Sequence, residues 1–178
     1  MSFADVLPRV LADEGIYSKD PHDAGGETVF GIDRRDNPAW GGWAEVNRLL
    51  VANTPTTDWS QDTALMAQVR AFYLALWTKH SLDSVPRALQ SLLFNGIVNQ
   101  GDSVVADLQV ALGQAGYLVD VDGGIGPQTL EALGKAPVVA VTNAFWRLRA
   151  ERYLNTVGYH PEDAVFFLGW LKRLQADA

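Results

Sequence analysis

The apolar pattern at the start of the chain predicts an amphipathic helix over residues 3–14. Apolar side chains recur at positions i, i+3, i+4, i+7 and i+8, which lie on one face of an α-helix. They are Phe3, Val6, Leu7, Val10 and Leu11. Gly15 follows directly and is suited to end the helix, because glycine is common just past a helix C-terminus.

The next segment, residues 16–38, has no helical period and is rich in Ser, Asp, Pro, Gly and Thr. This composition predicts a structured loop with a short hairpin over residues 28–32. Long loops inside compact domains usually serve a function. We therefore expect functional residues in this small irregular lobe.

Helical patterns return after residue 40 and continue to the end of the chain. They predict helices over residues 43–51, 87–99, 103–116, 138–157 and 164–175. Another helix is predicted to run from a cap at Ser60 or Asp62 through Trp77, and a short helix is predicted to begin at Pro127. Residues 87–99 are strongly apolar, which predicts a buried central helix. The predicted fold class is all-α, with a small irregular or β-hairpin lobe near residues 16–38.

Composition and charge exclude several classes of site. The 178 residues contain no cysteine, so a disulfide framework, a thiolate zinc site and a cysteine nucleophile are excluded. The three histidines are too far apart in sequence to suggest a metal motif, and we expect no metal and no cofactor. A formal net charge of −7 argues against a nucleic-acid partner.

The start of the chain lacks the basic and apolar regions of a signal peptide, and no apolar run approaches the ~18 residues that span a bilayer. We therefore expect synthesis in the cytoplasm without a signal peptide and no stable membrane insertion.

Carboxylates are concentrated in the segment EGIYSKDPHDAGGETVFGI, residues 14–32. Glu14 ends the predicted helix, where the negative end of the helix dipole disfavours a charged carboxylate, as suits a general acid. Asp20 and Asp23 follow on the loop. Two carboxylates in different environments are the usual equipment of glycoside hydrolysis. Turn formation and helix capping would also account for both aspartates without a catalytic role.

This segment resembles the signature of glycoside hydrolase family 108, a lysozyme-like family of peptidoglycan N-acetylmuramidases. The matching positions are Glu14, Gly15, Tyr17, Asp20, Pro21, Asp23, Gly25, Gly26, Thr28, Gly31 and Ile32. The sequence departs from the family pattern at Ile16, where glycine is usual, and at Ala24, where proline is usual.

The second half resembles the peptidoglycan-binding segment found with that family. The matching stretches are LFNGIVNQG, LQVALG, DGGIGPQTLEAL and FFLGWLKRL, with Asn95 where aspartate is common. The resemblance implies a lysozyme-like catalytic region over residues 1–90 and a helical peptidoglycan-binding segment over residues 91–178, packed into the same compact unit.

The resemblance also implies roles for single residues. Glu14 is the expected catalytic acid, Asp23 the second carboxylate and Thr28 the residue that holds water or sugar. Asp20 is the reserve for the second carboxylate. The expected substrate contacts are Asp20, Tyr17, Gly26, Asn99 and Trp43.

Two of these contacts have structural alternatives. Asn99 could instead cap the central helix. Trp43, which with Trp40 flanks a pair of glycines, could pack in the core instead of stacking on a sugar.

The expected activity is hydrolysis of the β-1,4 bond between N-acetylmuramic acid and N-acetylglucosamine in peptidoglycan glycan strands, by a monomer. A phage or prophage endolysin that is released through a holin fits the absence of a leader, and a wall-remodelling hydrolase serving a secretion system is the alternative. A peptidoglycan endopeptidase and a non-catalytic peptidoglycan-binding module remain open.

The acidic charge and the acidic turn DVDGGIG at residues 120–126 raise two further expectations. Because peptidoglycan is also largely anionic, wall binding should rely on local basic residues such as Arg147, Arg149, Arg152, Lys172 and Arg173.

The acidic turn at residues 120–126 invites a calcium-loop interpretation, but Ile125 stands where an EF-hand requires glycine, so a tight turn is favoured.

Overall fold

The structure is a computed structural model that describes residues 2–19 and 26–176. The described residues are mainly helical with one small antiparallel sheet, which confirms the predicted fold class. Phe3–Leu76 form one compact unit, called here the N-terminal unit. The chain from Trp77 onward, with the first two residues, forms the C-terminal unit.

The N-terminal unit contains the elements α1 (Phe3–Glu14), β1 (Tyr17–Lys19), β2 (Glu27–Val29), β3 (Ile32–Asp33), α2 (Gly42–Val51) and most of α3 (Thr63–Lys79). Helix α1 has the predicted bounds and buries four of the five predicted stripe residues, Phe3, Val6, Leu7 and Val10. Helix α3 is preceded by Asp62, whose Oδ1 accepts a hydrogen bond from the backbone N–H of Leu65 at 2.9 Å. Of the two predicted caps, Asp62 is therefore the one that acts.

The three strands form an antiparallel sheet in the order β1-β2-β3. Strand β2 pairs with β3 through Val29 and Ile32, which confirms the predicted hairpin. Strand β1 was not predicted by the sequence pattern, because it has only three residues and two of them are exposed. The sheet anchors the irregular lobe through the side chains of Val29 and Ile32, which are fully buried.

The C-terminal unit contains α4 (Arg87–Gln100), α5 (Val104–Gln114), α6 (Pro127–Lys135), α7 (Val138–Tyr159) and α8 (Ala164–Ala176). Every residue of α4 from Leu89 to Ile97 is buried, as predicted for a central helix. Helices α5 and α7 both pack on α4, and α8 packs on α7. Across residues 2–19 and 26–176, no helix combines the length and apolar character that a membrane span requires.

The turn before α6 is held by the buried side chain of Gln109. Its amide nitrogen donates to Asp122 Oδ1 at 2.7 Å and to the Gly124 carbonyl at 2.9 Å, and its oxygen accepts the Gly123 N–H at 2.8 Å. The Asp122 carboxylate also accepts the Gly124 N–H at 2.8 Å. These bonds account for the acidic turn as a structural device that fixes the start of α6.

Candidate active site

Glu14 is the last residue of α1, at the point where the chain reverses into the sheet. Gly15 has a φ of +71°, a conformation that favours glycine and lets the chain turn at once. The Glu14 side chain is partly buried, and its Oε1 atom is shielded from solvent. The end of α1 thus places one carboxylate at the edge of the irregular lobe.

The turn between β2 and β3 lies directly beneath this carboxylate. It consists of Phe30 and Gly31, whose φ angles of 46° and 77° are both positive, as in the tight turns that suit hairpin twist. The strained Phe30 is fixed on both sides: its N–H donates to Ile16 O at 2.9 Å, and its carbonyl accepts the Tyr73 hydroxyl at 2.7 Å. Helix α3 therefore fixes the turn through Tyr73.

Gly31 leaves the space that the Glu14 carboxylate occupies. A Cβ atom placed on Gly31 would lie 2.7 Å from Glu14 Oε2 and 2.8 Å from the Tyr73 hydroxyl, closer than real side chains approach. Burial raises the pKa of Tyr73 well above its usual range, and the negative charge of Glu14 raises it further. Tyr73 is thus a neutral hydrogen-bond donor beside the carboxylate.

A small open pocket of about 260 Å³ lies against Glu14. Tyr17 and Thr28 also line it, so the structure brings together three of the residues singled out in the sequence. Thr28 lies on β2, opposite Ser18 of β1, and Ser18 also faces the pocket. A carboxyl group and hydroxyl groups around one cavity can donate a proton to, and hydrogen-bond, a hydroxyl-rich ligand.

Tyr17 is held by an ionic network that the sequence pattern did not indicate. Its hydroxyl donates to Glu27 Oε1 at 2.9 Å, and Glu27 forms an ion pair with Arg34 at 2.6 Å. Burial and the Glu27 hydrogen bond raise the pKa of Tyr17 to about 12. The Tyr17 ring also packs on Trp59 with ring centroids 4.8 Å apart, so this wall of the pocket is rigidly placed.

Asp20 and Asp23 lie outside the described residues, so the assignment of the second carboxylate stays a prediction. Both belong to the connection between β1 and β2. The described chain resumes at Gly26, which has a φ of +73° and leads into β2.

Trp43 has a packing role in place of the stacking role suggested by the sequence. It is 4% exposed, its indole N–H donates to Asn37 O at 2.7 Å, and the Arg34 guanidinium lies 4.1 Å from the ring centroid. Its ring faces are thus covered by protein, which leaves the neighbouring Trp40 as the partly exposed member of the pair.

Asn99 lies on α4 in the C-terminal unit, where its amide nitrogen donates to the Asn95 carbonyl at 2.9 Å and to Asn95 Oδ1 at 3.1 Å. It therefore bonds within its own helix. Its expected substrate contact stays a prediction.

Arg149 was expected to be one of the basic residues that contact the wall, and the structure shows that this expectation is wrong. It is fully buried, and its guanidinium donates to Leu92 O at 2.8 Å, Gln100 Oε1 at 2.9 Å and Asn95 Oδ1 at 3.1 Å. Arg149 thus ties α7 to α4 and offers no surface charge. The side chain of Arg173 lies outside the described ones.

Within the part of the chain that the structure describes, no group of three or more His, Asp or Glu side chains is arranged to hold a metal ion. The described site is built from the Glu14 carboxyl group, the hydroxyl groups of Ser18 and Thr28, and the phenols of Tyr17 and Tyr73.

Comparisons with known proteins add four findings. Residues 7–101 match the family described as Glycosyl hydrolase 108, and residues 103–175 match a family described as a predicted peptidoglycan domain. The structure of Brucella abortus SagA is similar, with 27% sequence identity and a TM-score of 0.70, over 98% of this chain and 90% of that chain. No curated protein matches the chain significantly.

Proposed function

The chain belongs to the glycosyl hydrolase 108 family, and from this premise we propose that it is an N-acetylmuramidase. The two family matches support a peptidoglycan hydrolase that carries a peptidoglycan-binding domain. The finer proposal is that it hydrolyses the β-1,4 bond between N-acetylmuramic acid and N-acetylglucosamine.

One observation carries the assignment of the acid: the Glu14 carboxylate is held over Gly31, beside the Tyr73 hydroxyl, at the edge of an open pocket. A general acid must be fixed in position and yet reach its substrate: the packing on Gly31 fixes the Glu14 carboxyl group, and the pocket opens to it. Glu14 donates its proton to the glycosidic oxygen as the bond from that oxygen to the anomeric carbon breaks. The leaving sugar departs with a new hydroxyl group.

The second carboxylate completes the reaction. Asp23, helped by Thr28, holds a water molecule or stabilises the positive charge that develops on the sugar ring. Water adds its oxygen to the anomeric carbon, and the proton that it loses passes to Glu14, directly or through Asp23, which restores the acid. Asp20 is the reserve for this role.

Purified peptidoglycan tests the proposal. Glu14→Gln keeps the shape of the side chain but removes the acid, so the release of reducing ends should fall by at least about 100-fold. Binding to insoluble wall should be retained. Glu45→Gln is the matched control, because Glu45 lies on α2 and bonds Arg48 at 2.7 Å on the surface. Borohydride reduction should convert the new ends to muramitol, since the cut leaves muramic acid at the reducing end.

Three results would contradict this proposal. Release of free amino groups instead of reducing ends would indicate an endopeptidase, and glucosaminitol would indicate cleavage of the other glycosidic bond. Full activity of Glu14→Gln would remove Glu14 from the mechanism. Comparison of Asp23→Asn with Asp20→Asn assigns the second carboxylate, with the larger loss expected for Asp23.

A non-catalytic peptidoglycan-binding module is the second candidate, favoured by the match of residues 103–175 to a peptidoglycan domain. It predicts wall binding with no reducing ends from the wild-type protein.

The proposed biological setting is lysis by a phage or prophage endolysin, which is made in the cytoplasm and reaches the wall through a holin. Expression in the cytoplasm should then lyse cells only when a holin is co-expressed. A secretion-dependent passage to the wall, with no lysis, would support the wall-remodelling alternative.

A further inference from the structure

A second cavity lies wholly within the C-terminal unit, among the end of α4, the last turns of α7 and the helix α8. It has an open volume of about 550 Å³. Its lining among the described residues consists of Asn99, Gln100, Arg152, Tyr153, Thr156 and Trp170. Its combination of aromatic, amide, hydroxyl and guanidinium groups differs from the apolar lining that is usual for drug-sized ligands.

One wall of this cavity is aromatic. The rings of Tyr153 and Trp170 are stacked, with centroids 5.1 Å apart and an angle of 22° between their planes. Phe166, also on α8, has its ring centroid 6.3 Å from that of Trp170. Trp170 is partly exposed, so part of its indole is accessible to a ligand. An aromatic ring suits the apolar C–H face of a pyranose, which needs a flat apolar surface.

Tyr153 brings a polar group that has no partner among the described residues. The residue is 5% exposed, and its hydroxyl is buried with no hydrogen-bond partner among the described residues. An unsatisfied buried hydroxyl destabilises a protein, so a ligand that accepts or donates one hydrogen bond there gains affinity. A sugar hydroxyl can do both.

The remaining polar groups are fixed and bring little net charge. Arg152 forms an ion pair with Asp107 and donates to Ser103 Oγ at 3.1 Å. Thr156 donates to the Arg152 carbonyl at 3.0 Å, which leaves its oxygen able to accept from a ligand. Because Asp107 already balances the guanidinium, the cavity favours a neutral sugar over the anionic stem peptide of peptidoglycan.

We propose that this cavity binds an N-acetylhexosamine ring of the glycan strand, with Trp170 against the sugar face and the Tyr153 hydroxyl bonded to a ring substituent. This ligand identity rests on the proposed function, since peptidoglycan supplies the sugar. The C-terminal unit then holds the strand by its carbohydrate part.

Solution NMR of the full chain in the Glu14→Gln background tests this site without turnover. The probes are tri-N-acetylchitotriose and a synthetic peptidoglycan stem tripeptide. The Trp170 indole N–H signal, assigned by its loss in Trp170→Phe, should shift with the trisaccharide and stay fixed with the tripeptide. A shift with the tripeptide alone would overturn the proposal, as would no shift with either probe at millimolar concentration.

Two substitutions separate ligand binding from folding. Tyr153→Phe removes only the unpartnered hydroxyl, so it should leave folding intact or improve it while weakening the trisaccharide affinity at Trp170 by about three- to tenfold. Tyr117→Phe is the matched control, because Tyr117 lies outside this cavity, and it should leave the affinity unchanged.

Trp170→Ala should weaken retention on insoluble wall by about tenfold or more. Unchanged trisaccharide affinity in Tyr153→Phe and unchanged wall retention in Trp170→Ala would together overturn the site.

These outcomes are independent of the proposed reaction. If the wild-type chain releases no reducing ends, the muramidase proposal fails while a trisaccharide-dependent shift at Trp170 still supports the site. If the chain is an active muramidase and the shift is absent, only the site fails.

Discussion

Two glycines, one in each unit, give space to an ionisable side chain, and their surroundings differ. In the N-terminal unit, Gly31 lies under the Glu14 carboxylate at the edge of an open pocket. In the C-terminal unit, a Cβ atom on Gly96 would lie 2.8 Å from Val104 Cγ1 and 3.1 Å from Arg149 Nε, deep in the helical core. In both units a glycine therefore makes room for an ionisable group, a carboxyl group near solvent in one and a guanidinium far from solvent in the other.

The two glycines are needed for different reasons. Gly31 combines a positive φ of 77° with a close approach, so a side chain there is excluded by both backbone conformation and space. Gly96 lies inside α4, where any residue can adopt the backbone conformation, and only space excludes a side chain. Exposure then separates the roles: Glu14 can meet a substrate, whereas Arg149 cross-links two helices through carbonyl and amide oxygens.

The largest expected effect comes from filling the space at Gly31. In Gly31→Ala, the new Cβ must displace the Glu14 carboxylate from a contact of 2.7 Å. Small displacements of a catalytic group are costly, so we expect the release of reducing ends to fall by about 100-fold. The positive φ adds roughly 1–2 kcal/mol of destabilisation. Activity assays and thermal unfolding measure the two effects separately.

Gly116→Ala is the matched control for that substitution. Gly116 has a φ of +90°, and nothing lies within 4 Å of the added Cβ. It should show the backbone destabilisation and keep full activity. Equal activity in the two variants would mean that the Gly31 contact does not position Glu14.

The second expected effect concerns stability in the C-terminal unit. Gly96→Ala forces a methyl group against Val104 and Arg149, so the free energy of unfolding should fall by about 1–3 kcal/mol in urea denaturation. Gly134→Ala is the control, because Gly134 lies on α6 with nothing within 4 Å of its Cβ position. Alanine is the better helix former, so this control should gain about 0.5–1 kcal/mol. If Gly96→Ala gained stability as well, the close packing of α4 on Arg149 would be disproved.

The sequence predicted the helices well because their signals are local. The bounds of α1 follow from a five-residue apolar stripe and Gly15, and the apolar character of residues 87–99 correctly indicated the buried α4. Strand β1 was missed because three mostly exposed residues carry no alternation. The predicted hairpin over residues 28–32 includes Gly31, but the contact of Gly31 with Glu14 depends on packing.

The site was predictable only in part, because some of its contacts join residues that are far apart in the sequence. Glu14, Tyr17 and Thr28 were all singled out from one segment, and they line one pocket. Tyr73 was missed, because it reaches Phe30 from 43 positions further along the chain and belongs to an ordinary amphipathic helix. The Glu27–Arg34 pair was also missed, since its partners lie on neighbouring strand ends whose register the sequence does not reveal.

The smallest expected effect contrasts the buried cation Arg149 with an ionic cluster in the same unit that is centred on the exposed carboxylate of Asp102. Asp102 pairs with Lys79, and its Oδ1 lies 2.9 Å from His80 Nε2. The hydrogen bond from Lys79, followed by that from His80, holds the pKa of Asp102 below its usual range. A lowered pKa contributes stability that is present above the unfolded-state pKa of about 4 and lost as pH falls through the folded-state pKa.

Asp102→Asn should therefore lower the free energy of unfolding at pH 6 and have progressively less effect as the pH falls from about 5 toward 2. The side chain of Asp102 is 53% exposed, so solvent screening should keep the difference at or below about 1 kcal/mol. Asp58→Asn, which removes an exposed carboxylate next to Thr57, corrects for net charge. A pH-independent difference between Asp102→Asn and the wild type would show that the cluster acts through packing, as Arg149 does, and not through its charge.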